Sequence, residues 1–245
     1  MRLLFLLLTI LILTSCAEKQ TICRFKHLLS DGSVVVSVNY NDNQIPDHIK
    51  LYNTNGILVY SIYVDFENGI PSTNRMYDYT GKIMFFFYIA YDPSGRIKSI
   101  YVHSDSNQDG YCESLVLNYI LHYDNHGDPF LNYAYDNSNT LLYADTLYWQ
   151  NGNVVKKVRN SGEYKLYSYD QAVNPYYPLR FLMLMQLVSD TDFSSFCANN
   201  ITEILSYNSM NVLQNQESNT YLYNENGLPA SRNVTYTYEY ECFEE

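Results

Sequence analysis

Three oxygen-bearing side chains at alternate positions, Asp105, Asn107 and Asp109, are followed by Gly110, Tyr111 and Glu113. The spacing suits a hard cation. Calcium takes about six to eight oxygen ligands, glycine permits the sharp turn, the Tyr111 carbonyl can point inward, and Glu113 closes the ring. A second cluster, His122, Asp124 and His126, carries donors that zinc accepts. His122 ends an apolar run, however, and His126 falls inside a turn signal, where solvated turn residues are the commoner outcome. No GxSxG elbow and no phosphate-cradling glycine loop occurs in the chain. Carboxylate pairs abound in so acidic a sequence and signify little without geometry. No residue is therefore assigned a catalytic role.

These groups sit among strands. Around them recurs one unit, an aromatic, then Asp or Asn, two residues, and Gly: Tyr52 to Gly56, Tyr77 to Gly81, Tyr91 to Gly95, Tyr123 to Gly127 and Tyr223 to Gly227, with Tyr135 to Asn139 as a variant. The Asx oxygen accepts backbone N–H groups and Gly supplies positive φ, so each unit predicts a hairpin turn. Between turns the apolar residues alternate. Val34, Val36, Val38 and Tyr40 form one such face, and Val234, Tyr236, Tyr238, Tyr240 and Cys242 another. Tyrosine is the favoured wall residue, with 27 copies against a single Trp.

Consecutive hairpins imply an antiparallel meander of about 10 to 14 strands, more than a flat open sheet carries. The expected fold class is therefore all-β: a large coiled antiparallel meander or partly closed barrel. One accessory α-helix is expected near 178–188, where PYYPLRFLMLMQLV runs to Val188 without turn signals. This helix is the expected cover for Lys82 to Tyr91, which is apolar on both faces. Residues 189–200 read as loop, and strands resume at Ile201.

Composition fixes the surroundings. The 245 residues are 47% apolar, enough for one substantial core, and carry a net charge of -11. With no Lys/Arg cluster, nucleic acid is excluded as a partner. Arg2 and the almost wholly apolar run Leu3 to Leu13 form a secretory signal too short to span a bilayer. The residues Leu13, Thr14, Ser15 and Cys16 resemble the lipobox of bacterial lipoproteins, which implies cleavage before Cys16 and acylation of that residue. The expected organisation is a signal peptide at 1–15, a tether and first strand at 16–30, and a single β domain at 31–245. Ala17 lacks the Asp that marks inner-membrane retention in familiar lipoproteins. The expected address is thus the outer membrane, through the lipid anchor, with its side undetermined. Cys23, Cys112, Cys197 and Cys242 can oxidise after export, and four cysteines allow three pairings that sequence does not choose between.

Further resemblances follow from these parts. The acidic loop matches the first seven positions of an EF-hand, but Val116 stands where its last carboxylate would be. It resembles instead the shorter calcium loops of β-propeller and dockerin-like repeats, so Ca²⁺ is the expected cofactor. Asp145, Thr146 and Leu147 resemble an O-glycosylation signal of gut-bacterial exported proteins, which would place the sugar on Thr146. The lipobox, the hairpins at Tyr91 and Tyr123, DSNQDG at Asp105, YSYDQAVNPYYPL at Tyr167 and CANNITEI at Cys197 together resemble uncharacterised gut-bacterial lipoproteins with a porin-like β fold. The tyrosine-Asp units also look like YD repeats, too unevenly spaced for a strict array. The resemblance implies no assigned activity. Two functions are expected to compete: a non-enzymatic envelope protein whose sheet binds a glycan or an envelope protein, and an enzyme acting on an extracellular polymer. Exposed aromatics along a shallow groove would favour binding; two carboxylates in a deep pocket would favour the enzyme.

Overall fold

The computed structural model describes residues 21–105, 111–180 and 193–244. They form one sheet of 17 strands, every pairing antiparallel. The first fourteen strands run as a meander from β1 (Thr21–Ser30) and β2 (Ser33–Tyr40) to β13 (Asn199–Tyr207) and β14 (Leu213–Ser218). Three more follow, β15 (Tyr221–Tyr223), β16 (Pro229–Arg232) and β17 (Tyr236–Glu244). β17 then pairs along the whole of β1, so the sheet coils back on its own beginning.

The sheet stops short of a continuous ring of ladders. β14 lies along β13 and β15 along β16, and among the described residues no ladder joins β14 to β15. Asn219 and Thr220 carry the chain across this seam. The Asn219 N–H donates to the Thr202 carbonyl at 2.7 Å, and the Asn233 N–H to the Thr220 carbonyl at 2.8 Å.

Alternation sorts the residues into an inner and an outer face. Ile49, Ile62, Met76, Phe87, Ile100, Tyr119, Ala134 and Leu147 lie in a single buried core. Their neighbours His48, Lys50, Tyr63, Arg75 and Tyr88 face outward, and Tyr63 and Tyr88 are exposed. A transmembrane barrel has the reverse arrangement, an apolar band outside and a polar interior.

Eight turns share one construction. An Asx Oδ1 accepts the N–H two and four residues on, at 2.8–3.0 Å: Asn41, Asn53, Asp78, Asp92, Asp124, Asp136, Asn208 and Asn224. The left-handed position is Gly in five of them, while Gln44, Asn139 and Asn211 fill it in the others. Sequence alone gave six, because Tyr40–Asn41 and Tyr207–Asn208 lack the glycine. Arg159 to Glu163 makes the same backbone turn with Arg in the Asx place.

Several expectations need correction. The strands exceed the expected number, since short segments such as β15 and β16 carry no alternation long enough to register. Val234 is not a strand residue: it is 88% exposed with φ of +62°, in the turn between β16 and β17. Helix among the described residues is limited to two 3₁₀ turns, Tyr177–Leu179 and Phe193–Phe196, and most of the expected 178–188 helix lies outside those residues. The flanks of that segment do not cover Lys82 to Tyr91 from outside. They enter the interior, where Tyr176 meets Phe25 edge-on at 5.4 Å and Leu179 and Cys197 are buried. β6 (Ile83–Tyr91) instead has one buried face, Phe87 and Ile89, and one wet face, where Tyr88 sits beside Tyr101 at 6.4 Å. Aromatic cross-strand pairing leaves that outer face no need of a second layer.

Candidate functional site

The meander sends odd strands one way and even strands the other up to β13, giving the coil two ends. Thr21 pairs with Glu244, so the first and last described residues lie together, at what is here the chain-end side, with the turns at Asn41, Asp92, Asp124 and Asn224. The turns at Asn53, Asp78, Asp136 and Asn208, and the paired residues Ser104 and Ser114, lie at the opposite end.

At the chain-end side, aromatic side chains stitch neighbouring strands. The hydroxyls of Tyr40, Tyr91, Tyr123, Tyr169 and Tyr240 donate to the carbonyls of Phe25, Pro71, Ile97, Val154 and Pro229, at 2.6–2.9 Å. Trp149 Nε1 does the same to Pro129 at 2.5 Å. Most of these donors sit at a register shift, where the ladder releases a carbonyl. Burial pushes the Tyr40, Tyr91 and Tyr123 hydroxyls up to about 12.

A buried charge cluster lies on the inner face of β10 (Leu141–Gln150) and β11 (Asn153–Arg159). Asp145, 1% exposed, receives Arg159 Nε at 2.9 Å and Nη2 at 3.0 Å, with Lys157 Nζ 3.9 Å away. Bidentate geometry of this kind holds a carboxylate firmly and accounts for Arg159 replacing Asx in its turn.

A wide surface feature is on the outer face of β4 (Leu58–Glu67) and β5 (Ile70–Asp78). A shallow groove of about 590 Å³ runs along Tyr63, Arg75 and Tyr77 to Tyr79 in the following turn. His48 stacks on Tyr63 at 3.9 Å and Tyr77 stands edge-on to Tyr63 at 5.7 Å. Tyr79 is 70% exposed. Arg75 Nη2 holds Asp65 Oδ1 at 2.5 Å, and Thr73 donates to Asp65 Oδ2 at 2.7 Å. Burial and the nearby Lys50 lower the His48 pKa, so the ring is neutral at pH 7 and stacks without a charge to solvate. The sequence reading asked for such a groove without locating it. Alternation places Tyr63, Arg75 and Tyr77 outward, but only the register Tyr63↔Arg75 and Ser61↔Tyr77 brings them side by side.

The sequence-derived sites fare differently. Cys16 lies outside the described residues, as do Asn107 and Asp109; Asp105, Tyr111 and Glu113 flank the latter between β7 (Ile97–Ser104) and β8 (Ser114–Tyr123). Among the described residues no three His, Cys, Asp or Glu side chains gather as metal ligands. Asp124 caps its turn through the His126 and Asp128 N–H groups, and His122 packs edge-on against Tyr133. Thr146 is mid-strand, opposite Val158 and Leu131, while Asp145 beside it serves the inner ion pair. Of the three cysteine pairings the structure has Cys23–Cys242, joining β1 to β17. Cys112 and Cys197 form no disulfide, and Cys197 lies buried 3.2 Å from the Tyr169 hydroxyl.

No family model matches the chain, and no curated protein matches it. Among solved structures it is similar to a porin-like protein from Bacteroides uniformis, at 11% identity and TM-score 0.46, over 93% of this chain and 96% of the other. A porin-like protein from Bacteroides vulgatus matches at 8% identity and TM-score 0.38, over 91% and 98%. At these values neither likeness carries an activity across.

Proposed function

We propose that this chain is a lipid-anchored protein of the cell envelope that binds a saccharide on the outer face of its sheet and catalyses no reaction. The observation that carries the reading is the groove of Tyr63, Tyr77 and Tyr79. Tyrosine rings offer flat apolar faces to the C–H face of a sugar, and their hydroxyls, with Arg75 and Asp65, offer partners to its hydroxyl groups. The site is shallow and open, as an extended polymer requires. The carboxylate in its lining, Asp78, caps its own turn by accepting from Thr80 and Lys82, and the neighbouring Asp65 is engaged by Arg75 and Thr73, which favours binding over acid–base work.

The anchor is consistent with this geometry. Five residues from Cys16 to Gln20 precede Thr21, a reach of about 17 Å when extended. Acylation at Cys16 would hold the chain-end side toward the bilayer, and the groove runs toward the opposite side, at Tyr79. Palmitate incorporation that persists in Cys16→Ala would contradict the anchor.

A glycan array probed with residues 17–245 tests the binding. The expected result is retention of an oligosaccharide, with affinity reduced at least tenfold in Tyr63→Ala/Tyr77→Ala. No retention, or equal retention by the variant, would contradict it.

Calcium belongs to the same reading as a stabiliser of the loop from Asp105 to Glu113, on the side away from the anchor. Millimolar calcium is expected to raise the melting temperature, EDTA to reverse the rise, and Asp109→Ala to abolish it. An unchanged melting temperature would remove calcium from the account.

A further inference from the structure

A second cavity, of about 280 Å³, lies inside the sheet at the seam between β14 and β15. Its walls include Tyr176, Asn200, Glu217, Tyr221, Arg232 and Tyr236. Arg232 pairs across the ladders with Tyr221 on one side and Tyr236 on the other, so the three share one inward row. Its guanidinium lies 4.5 Å over the Tyr236 ring.

The charge of Arg232 is unusual in this chain. Arg24, Arg75, Arg96 and Arg159 each hold a carboxylate, from Glu241, Asp65, Asp92 and Asp145. Arg232 has no carboxylate partner among the described residues, and its Nε is buried without an acceptor. Neighbouring phenols do not neutralise it: burial pushes Tyr221 up to about 12 and Tyr176 well above its ordinary value. Glu217 lines the same cavity but accepts from Asn215 Nδ2 at 2.9 Å. The asparagines are largely committed as well. Asn219 Nδ2 donates to the Ile201 carbonyl, Asn233 Nδ2 to Asn219 Oδ1, and Asn200 Nδ2 to Asp170. A desolvated guanidinium beside open space, in a protein with 26 acidic residues, is costly unless an anion completes it.

We infer that the cavity at the seam is a binding site for a small carboxylate-bearing molecule of monosaccharide size, held by the Arg232 guanidinium with a tyrosine ring beneath it. A planar carboxylate matches the guanidinium edge left open by the Tyr236 stack. The volume lies near the lower limit for small-molecule pockets, roughly 300 Å³, which admits one sugar ring and not a chain. The interruption between β14 and β15 places the site where side chains take over part of the boundary from the ladder. The site is independent of the outer groove, so the two can fail separately.

The test uses residues 17–245 with galacturonate as the acidic probe and galactose as its neutral counterpart, at matched ionic strength. The expected result is a saturable displacement of the Arg232 Nε–H resonance by galacturonate and none by galactose, with a parallel rise in melting temperature. Arg232→Gln should weaken the response at least tenfold, and Tyr63→Ala/Tyr77→Ala should leave it intact. The wild-type resonance decides the matter even if Arg232→Gln does not fold. No displacement by galacturonate, an equal displacement by galactose, or an undiminished thermal response in a folded Arg232→Gln would overturn the assignment.

Discussion

Asp145 shows how one inner residue constrains its surroundings. It is desolvated, held by two nitrogens of Arg159 and approached by Lys157. Removing one partner of a buried pair leaves an uncompensated charge, which costs about 3–5 kcal/mol, whereas replacing both by apolar groups of similar volume is often neutral. Asp145→Leu strands both Lys157 and Arg159 and should therefore destabilise the protein by about that amount in urea titration, and Asp145→Leu/Lys157→Met/Arg159→Met should recover most of the loss. Equal destabilisation by the triple variant would show that the charge cluster contributes net stability. Arg159 also explains a turn that departs from the common pattern, since the residue that would have capped it serves the interior instead. Nothing in the local sequence around Asn160 to Gly162 reveals this. The partner lies across a strand pair, on β10.

At the scale of strands and turns, the tyrosines divide by face. Outward rings such as Tyr63, Tyr77 and Tyr88 pack on their cross-strand neighbours. Inward ones near the chain ends donate to carbonyls released at register shifts. Tyr40, Tyr91 and Tyr123 have hydroxyls raised from about 10 to about 12 by burial. Between those values the unfolded chain releases phenolic protons that the folded chain keeps. Stability from this source is therefore fully present below pH 10 and is lost as the pH rises toward 12. Urea midpoints should fall across that window, with tyrosinate absorbance at 295 nm lagging behind that of the unfolded chain. Coincident titration in the two states would show that these hydroxyls are not sequestered. Much of this level was legible beforehand. The Tyr-Asx-x-x-Gly units specify turns through local chemistry alone, and alternation from Val36 to Tyr40 and from Tyr236 to Tyr240 marks which residues face inward, whereas a register shift puts Val35 against the core in place of the expected Val34, and Cys242 is exposed. The two turns with Gln44 and Asn211 in the glycine place were missed because the cue used was the glycine, while Tyr and Asn were present in both. Lys82 to Tyr91 misled because Phe86 and Tyr88 count as apolar by type but lie half-wet by position. The seam at Asn219 and the row Tyr221, Arg232 and Tyr236 were not legible, since both depend on pairings between strands that are short and polar.

For the molecule as a whole, the first and last strands determine the outcome. β1 pairs along β17, and the Cys23–Cys242 disulfide fastens that pairing close to both chain ends. A meander that would otherwise present two bare edges thus leaves, among the described residues, the interruption at β14 and β15, which is the expected way to limit edge-to-edge association. The same coiling puts Ile49, Phe87, Ile100 and Tyr119 inside and Lys50, Arg75 and Lys98 outside. The acyl anchor proposed at Cys16 would attach such a protein to the bilayer, each buried CH₂ adding about 0.8 kcal/mol. Purification of residues 17–245 without detergent, followed by sedimentation and far-ultraviolet circular dichroism in the presence and absence of liposomes, tests this directly. The account predicts a folded β protein that stays in the aqueous phase in both cases. A chain that needs detergent to fold, or that enters the liposomes and conducts ions, would contradict it.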